Sequence, residues 1–141
     1  MATADIVEQR NMDCKVYGSS INPDVLDYIA SGKIDACTGG EVACGGVAVT
    51  LLANYMDGHP IKGSDGEAPI IDELHHFVVT PENAQAFKDS LTNPETSTGT
   101  ISAEEYQSLL YRNNPDVTID DYVQMMNSYP ENVYEKIGAA K

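Results

Sequence analysis

The sequence predicts an α/β fold: a partial lobe of parallel sheet with flanking helices, followed by a helical C-terminal extension. Three observations carry this. First, the run from Lys15 to Gly58 spells strand, loop, helix, strand, Gly-rich loop, helix, which is two successive βα units. Second, each helix opens and closes with local signals, such as Asn22-Pro23 at one start and Gly32 at one end. Third, both strands run into small polar or glycine residues, Gly18-Ser19-Ser20 and Thr38-Gly39-Gly40-Glu41. In open parallel sheets such exits from the carboxyl ends of strands are where ligands bind.

Taken in order, residues 2–11 have helix-compatible composition, with Ile6 and Val7 as apolar contacts and Asn11 as a stop. Lys15–Gly18 reads as a short strand. Asn22 is the candidate N-cap of the next helix, with Pro23 at its first position, where a missing N–H costs nothing. Val25, Leu26, Tyr28 and Ile29 form its apolar face, and Gly32 ends it. Ile34–Thr38 reads as the second strand. Glu41–Met56 is a long helix in which Gly45 and Gly46 cost about 1 kcal/mol each against Ala. Close packing on the sheet is the expected reason for them.

Asp57-Gly58-His59-Pro60 is a turn, Ile61–Gly66 a loop, and Pro69–Asp72 and His76–Thr80 extended segments. Thr80-Pro81 predicts a helix running to about Leu91. These elements define a first unit over residues 1–91 and a polar linker over 92–101. A helical extension follows over 102–141. There Ser102 and Glu105 form a capping box, with Tyr106, Leu109 and Leu110 on one face. Thr118 starts another helix through Met126, and a separate short piece over Asn132–Ile137 closes the chain.

Composition excludes several function classes. The net charge of −14 argues against nucleic acid and anionic membranes, both of which require Lys and Arg to neutralise phosphate. An apolar fraction of 42% is too high for a disordered chain. No stretch approaches the roughly 20 apolar residues of a membrane span. The segment MATADIVEQR lacks the basic and apolar regions of a secretory signal. Cys14, Cys37 and Cys44 form no CxxC pair, and no metal or other cofactor is expected. They read as buried free thiols.

The two loops carry the functional reading. Gly18-Ser19-Ser20 offers hydroxyls and backbone N–H groups; it is either a cradle for a small polar ligand or a polar connecting turn. Gly39 and Gly40 let a ligand approach the backbone, while Glu41 either meets that ligand or complements the helix dipole. A phosphate cradle is not indicated, because no Walker lysine follows and Glu41 repels anions. His75-His76, adjacent on a strand, point to opposite faces and do not chelate one ion. No GxSxG elbow or Ser/His/Asp arrangement is present, so no enzyme is predicted.

Three segments together resemble a known family: NPDVLDYIASGKIDA (22–36), GGVAVTLLANYMDGHPI (45–61) and FVVTPEN (77–83). They are similar to the C-terminal lobe of type I periplasmic sugar-binding proteins of ABC transporters, the group of the ribose- and autoinducer-binding proteins. The likeness runs over residues 2–91, and NPDVTIDDY (114–122) resembles the C-terminal extension of some members. The resemblance implies a solute-binding component of an ABC importer that takes a carbohydrate or related polar solute. It implies permease subunits as partners, an N-terminal lobe outside this chain, and a periplasmic or lipoprotein location. A ligand-sensing domain of a regulator or signalling receptor is the alternative with the same fold. The family's acidic ligand residue falls on Ser20 and its Gln on about Gly39, so an ordinary pentose or hexose pose is not implied. The expected ligand-binding set is Ser19, Ser20, Asn22, Gly39, Gly40 and Glu41.

Overall fold

The computed structural model describes residues 1–72, 75–92 and 101–139. The predicted linker falls mostly outside them. The chain is mixed α/β. Helix α1 (Ala2–Gln9) precedes strand β1 (Tyr17–Ser19), helix α2 (Pro23–Ala30) and strand β2 (Ala36–Gly39). Helix α3 (Glu41–Met56), strand β3 (Phe77–Val79) and helix α4 (Ala84–Thr92) follow. Helices α5 (Ala103–Ser108) and α6 (Ile119–Ile137) complete the order.

The local start signals act as expected. Asn22 accepts a hydrogen bond from the Val25 N–H at 3.0 Å, capping α2 ahead of Pro23. Gly32 takes the left-handed φ of +74° that ends it. Ser102 and Glu105 exchange both bonds of a capping box at the start of α5.

The sheet departs from the all-parallel expectation. Its order is β1-β2-β3; β1 pairs parallel with β2, but β3 pairs antiparallel with β2, setting Gly39 opposite Phe77. The cause lies in the connection. Helix α3 carries the chain outward from the end of β2, and residues 57–76 bring it back to that same end. Strand β3 therefore enters where β2 leaves.

The second correction concerns α3 itself. Its buried stripe is Ala43, Val47, Thr50 and Asn54, and it faces the C-terminal helices rather than the sheet. Gly46 makes room for the Tyr106 ring of α5: a Cβ there would lie 2.2 Å from it. Gly45 faces open space. Among the described residues, the buried side chains of the sheet lie on one face. Cys37, Phe77 and Val79 are buried toward α2 and α4, with Phe77 stacked on Phe87 at 4.9 Å. Tyr17 and Val78, which point the other way, are exposed.

Smaller differences have local reasons. Helix α4 begins at Ala84 rather than at Pro81, because Asn83 folds back onto Thr80 N–H (2.9 Å) and Val78 C=O (3.2 Å). Helix α6 is continuous through Pro130, where a break before Asn132 was expected. Its buried residues Tyr122, Met126, Tyr129 and Val133 hold it against the core on both sides of the proline. Pro69–Asp72 forms no strand, and Ala4 rather than Ile6 is the buried contact of α1. All three cysteines are free as expected, but only Cys37 is buried; Cys14 is exposed and Cys44 half-buried. Residues from α1 through α6 contribute to one buried cluster.

The two kinds of glycine separate by experiment. Gly39→Ala sets a Cβ 2.4 Å from the buried Phe77 ring and is expected to cost about 1–3 kcal/mol. Gly45→Ala meets nothing and is expected to gain about 0.5–1 kcal/mol. Urea denaturation of the two variants against wild type measures both signs.

Candidate functional site

The exits of β1 and β2 meet. Ser19 donates its hydroxyl hydrogen to Glu41 Oε1 at 2.6 Å, and the Ser20 N–H reaches the same oxygen at 3.0 Å. The Ser20 N–H also lies 2.9 Å from the Thr38 C=O, extending the β1–β2 ladder by one bond. Ser20 holds φ of +71°, unusual for a residue with a side chain. The Cys37 Sγ lies 3.6 Å from its carbonyl oxygen. Gly40, at φ of +132°, turns the chain into α3 and places Glu41 at the first helical position.

The six residues expected to bind ligand take three different roles. Ser19, Ser20 and Glu41 are drawn into one polar cluster, with both serines exposed and Glu41 half-buried. Asn22 is exposed, but its side-chain oxygen is occupied in capping α2. Gly39 and Gly40 are buried. Gly39 lies under the Phe77 ring. Gly40 lies under Tyr129 and His76, each of which would stand 3.2 Å from a Cβ at that position. The two glycines thus admit protein side chains where ligand approach was expected.

Two residues of the site carry no signal in the sequence near the two loops. His76 sits on the site rim with Nδ1 3.3 Å from the Gly39 carbonyl, brought there by the antiparallel return of β3. Tyr129 comes from α6. Both arrive through long-range packing.

The electrostatics of Glu41 are a contest. Burial raises its pKa. The Ser19 hydroxyl, the backbone N–H groups of Glu41 and Ser20, and the neighbouring His76 lower it and prevail, holding the carboxyl below its ordinary value of 4.5. Burial, followed by the charge of Glu41, pushes the Cys37 thiol up. A carboxylate held below its ordinary value is a weak general base. Among the described residues no group of three or more His, Cys, Asp or Glu side chains converges to hold a metal. The arrangement is suited to accepting and donating hydrogen bonds. Ser19 and Ser20 present this cluster to solvent.

Comparison of the chain with protein-family models, curated proteins and solved structures finds no match in any of the three.

Because the folded pKa of Glu41 is depressed, its contribution to stability is present above about pH 4.5 and is lost as pH falls through the lowered value. Wild type is therefore expected to lose more stability than Glu41→Gln between pH 7 and pH 3. Urea midpoints of both proteins at the two pH values check this, and parallel losses contradict it.

Proposed function

We propose that the chain is a solute-binding component of an ABC importer, taking a small hydroxyl-bearing solute of carbohydrate type at the exits of β1 and β2. It performs no chemistry. Its work is to supply one wall of a binding cleft and to present a surface to permease subunits.

One observation carries this reading: Glu41 draws Ser19 and Ser20 into a single exposed polar cluster at the carboxyl ends of two parallel strands. The open crevice beyond parallel strand ends is the usual ligand position in such sheets. A carboxylate accepts hydrogen bonds from vicinal hydroxyls, and a serine hydroxyl both donates and accepts. Glu41 keeps its charge at neutral pH, so it remains an acceptor there. The order of segments similar to periplasmic sugar-binding proteins supports the same reading. In this reading the exposed cluster is one wall, and a second lobe supplies the opposing wall and the aromatic surface on which sugars stack.

Binding of a monosaccharide to the folded state alone raises the melting temperature, and saturation at 100 times Kd adds about 2.7 kcal/mol. An upward shift is expected with at least one member of a monosaccharide panel. Glu41→Gln, which keeps the shape but removes the charge, is expected to abolish that shift while retaining a cooperative melt. A shift of equal size in Glu41→Gln contradicts the assignment of the site, and no shift with any member contradicts solute binding by this wall on its own.

A further inference from the structure

Among the described residues, helix α3 presents an apolar face with no partner on it. Val49, Leu52 and Tyr55 are 65%, 57% and 68% exposed, and Ile70 on the returning segment is 80% exposed. Helix and segment enclose a groove. One part, of about 510 Å³, is lined by residues such as Leu52, Tyr55 and Ile61; the next, of about 230 Å³, by residues such as Cys44 and Met126. Leu51 and Pro69 line both parts and make them continuous. Apolar surfaces of this kind mark interaction sites. The groove follows α3 from Cys44 to Tyr55, about 16 Å at 1.5 Å per residue, the length of three turns of a docked helix.

Charge selects the occupant. Glu67 and Lys62 line the groove, and Asp65 and Asp72 sit next in the chain to its lining residues Gly66 and Ile71; all four are exposed, so the segment of residues 57–72 carries more acid than base. A further acid there, Asp57, is paired with Arg112 at 3.0 Å. The chain as a whole carries −14. A second copy or an anionic lipid surface would bring like charge to this rim, whereas a basic segment meets opposite charge. We infer that the groove along α3 docks a basic amphipathic helical segment of a partner protein, its apolar face in the groove and its Lys or Arg residues against the acidic rim. This site is separate from the proposed solute site and does not depend on it.

The chain contains no tryptophan, so a tryptophan-bearing peptide reports its own binding. The probe is a synthetic Leu/Lys helical peptide of about four turns with one tryptophan, alongside a Leu/Glu counterpart. Blue-shifted emission is expected with the Lys peptide and not with the Glu peptide. The double variant Leu52→Ser, Tyr55→Ser leaves every charge in place and alters exposed side chains only; it is expected to weaken binding at least tenfold (about 1.4 kcal/mol). Equal binding to wild type and the double variant, with both melting alike, would mean charge attraction alone and overturns the proposal. So does preference for the Glu peptide, or no binding of either. A dimer in sedimentation equilibrium that the double variant dissolves would assign the groove to a second copy. Flotation of the chain with phosphatidylcholine vesicles, lost in the double variant, would assign it to lipid.

Discussion

The buried amide of Asn54 is the constraint on which the rest of this structure depends. The residue is fully buried on α3. Its Nδ2 donates to the Leu109 carbonyl at 2.8 Å and to the Tyr122 hydroxyl at 3.1 Å, while its Oδ1 accepts the Tyr111 N–H at 2.8 Å. Tyr122 in turn donates to the Leu109 carbonyl at 2.9 Å. A buried polar group left unpaired costs about 1–3 kcal/mol, so each member of this network fixes the others. The network ties α3 to the turn between α5 and α6. With α3 held there, its far face, with Val49, Leu52 and Tyr55, is exposed, and β3 is reached only by a return toward the end of β2. The antiparallel β3 and the position of His76 follow from that return.

The C-terminal helices then complete the sheet and back the candidate site. The Tyr134 hydroxyl donates to the Val78 carbonyl at 2.9 Å and accepts its N–H at 2.7 Å, occupying the outer edge of β3 where an unpaired strand invites association. Tyr129 tilts against Phe77 at 5.9 Å and covers Gly40. The loop that positions Glu41 thus rests on a ring from α6. Strand β1 forms the opposite edge, with all three of its residues exposed.

What was legible in the sequence was local. Asn22-Pro23 specifies the start of α2 because a side-chain acceptor and a missing N–H act within three residues. Ser102 and Glu105 specify the start of α5 for the same reason, and the bounds of α3 follow from Gly40 and the Asp57-Gly58 turn. What was not legible was set by partners distant in the chain. Gly46 signals that something packs closely, but not that Tyr106 does so in place of the sheet. Nothing between Asp57 and His76 states the direction in which β3 will pair. Within the candidate site, Ser19, Ser20 and Glu41 follow from the βα pattern, which places both loops at one end of the sheet. Asn22 and Gly39 have structural uses that the pattern does not distinguish from ligand contacts. His76 and Tyr129 depend on tertiary packing alone.

Native-state amide hydrogen exchange at Tyr111 tests the central claim most directly. Tyr111 lies in a turn between α5 and α6, where an N–H bonded only to solvent would exchange quickly. If Asn54 binds α3 and the C-terminal helices into one core, the Tyr111 amide exchanges with the same opening free energy as Cys37 and Val79 in the sheet. Exchange at the rate of an unprotected surface turn, with the sheet amides still protected, would contradict the account.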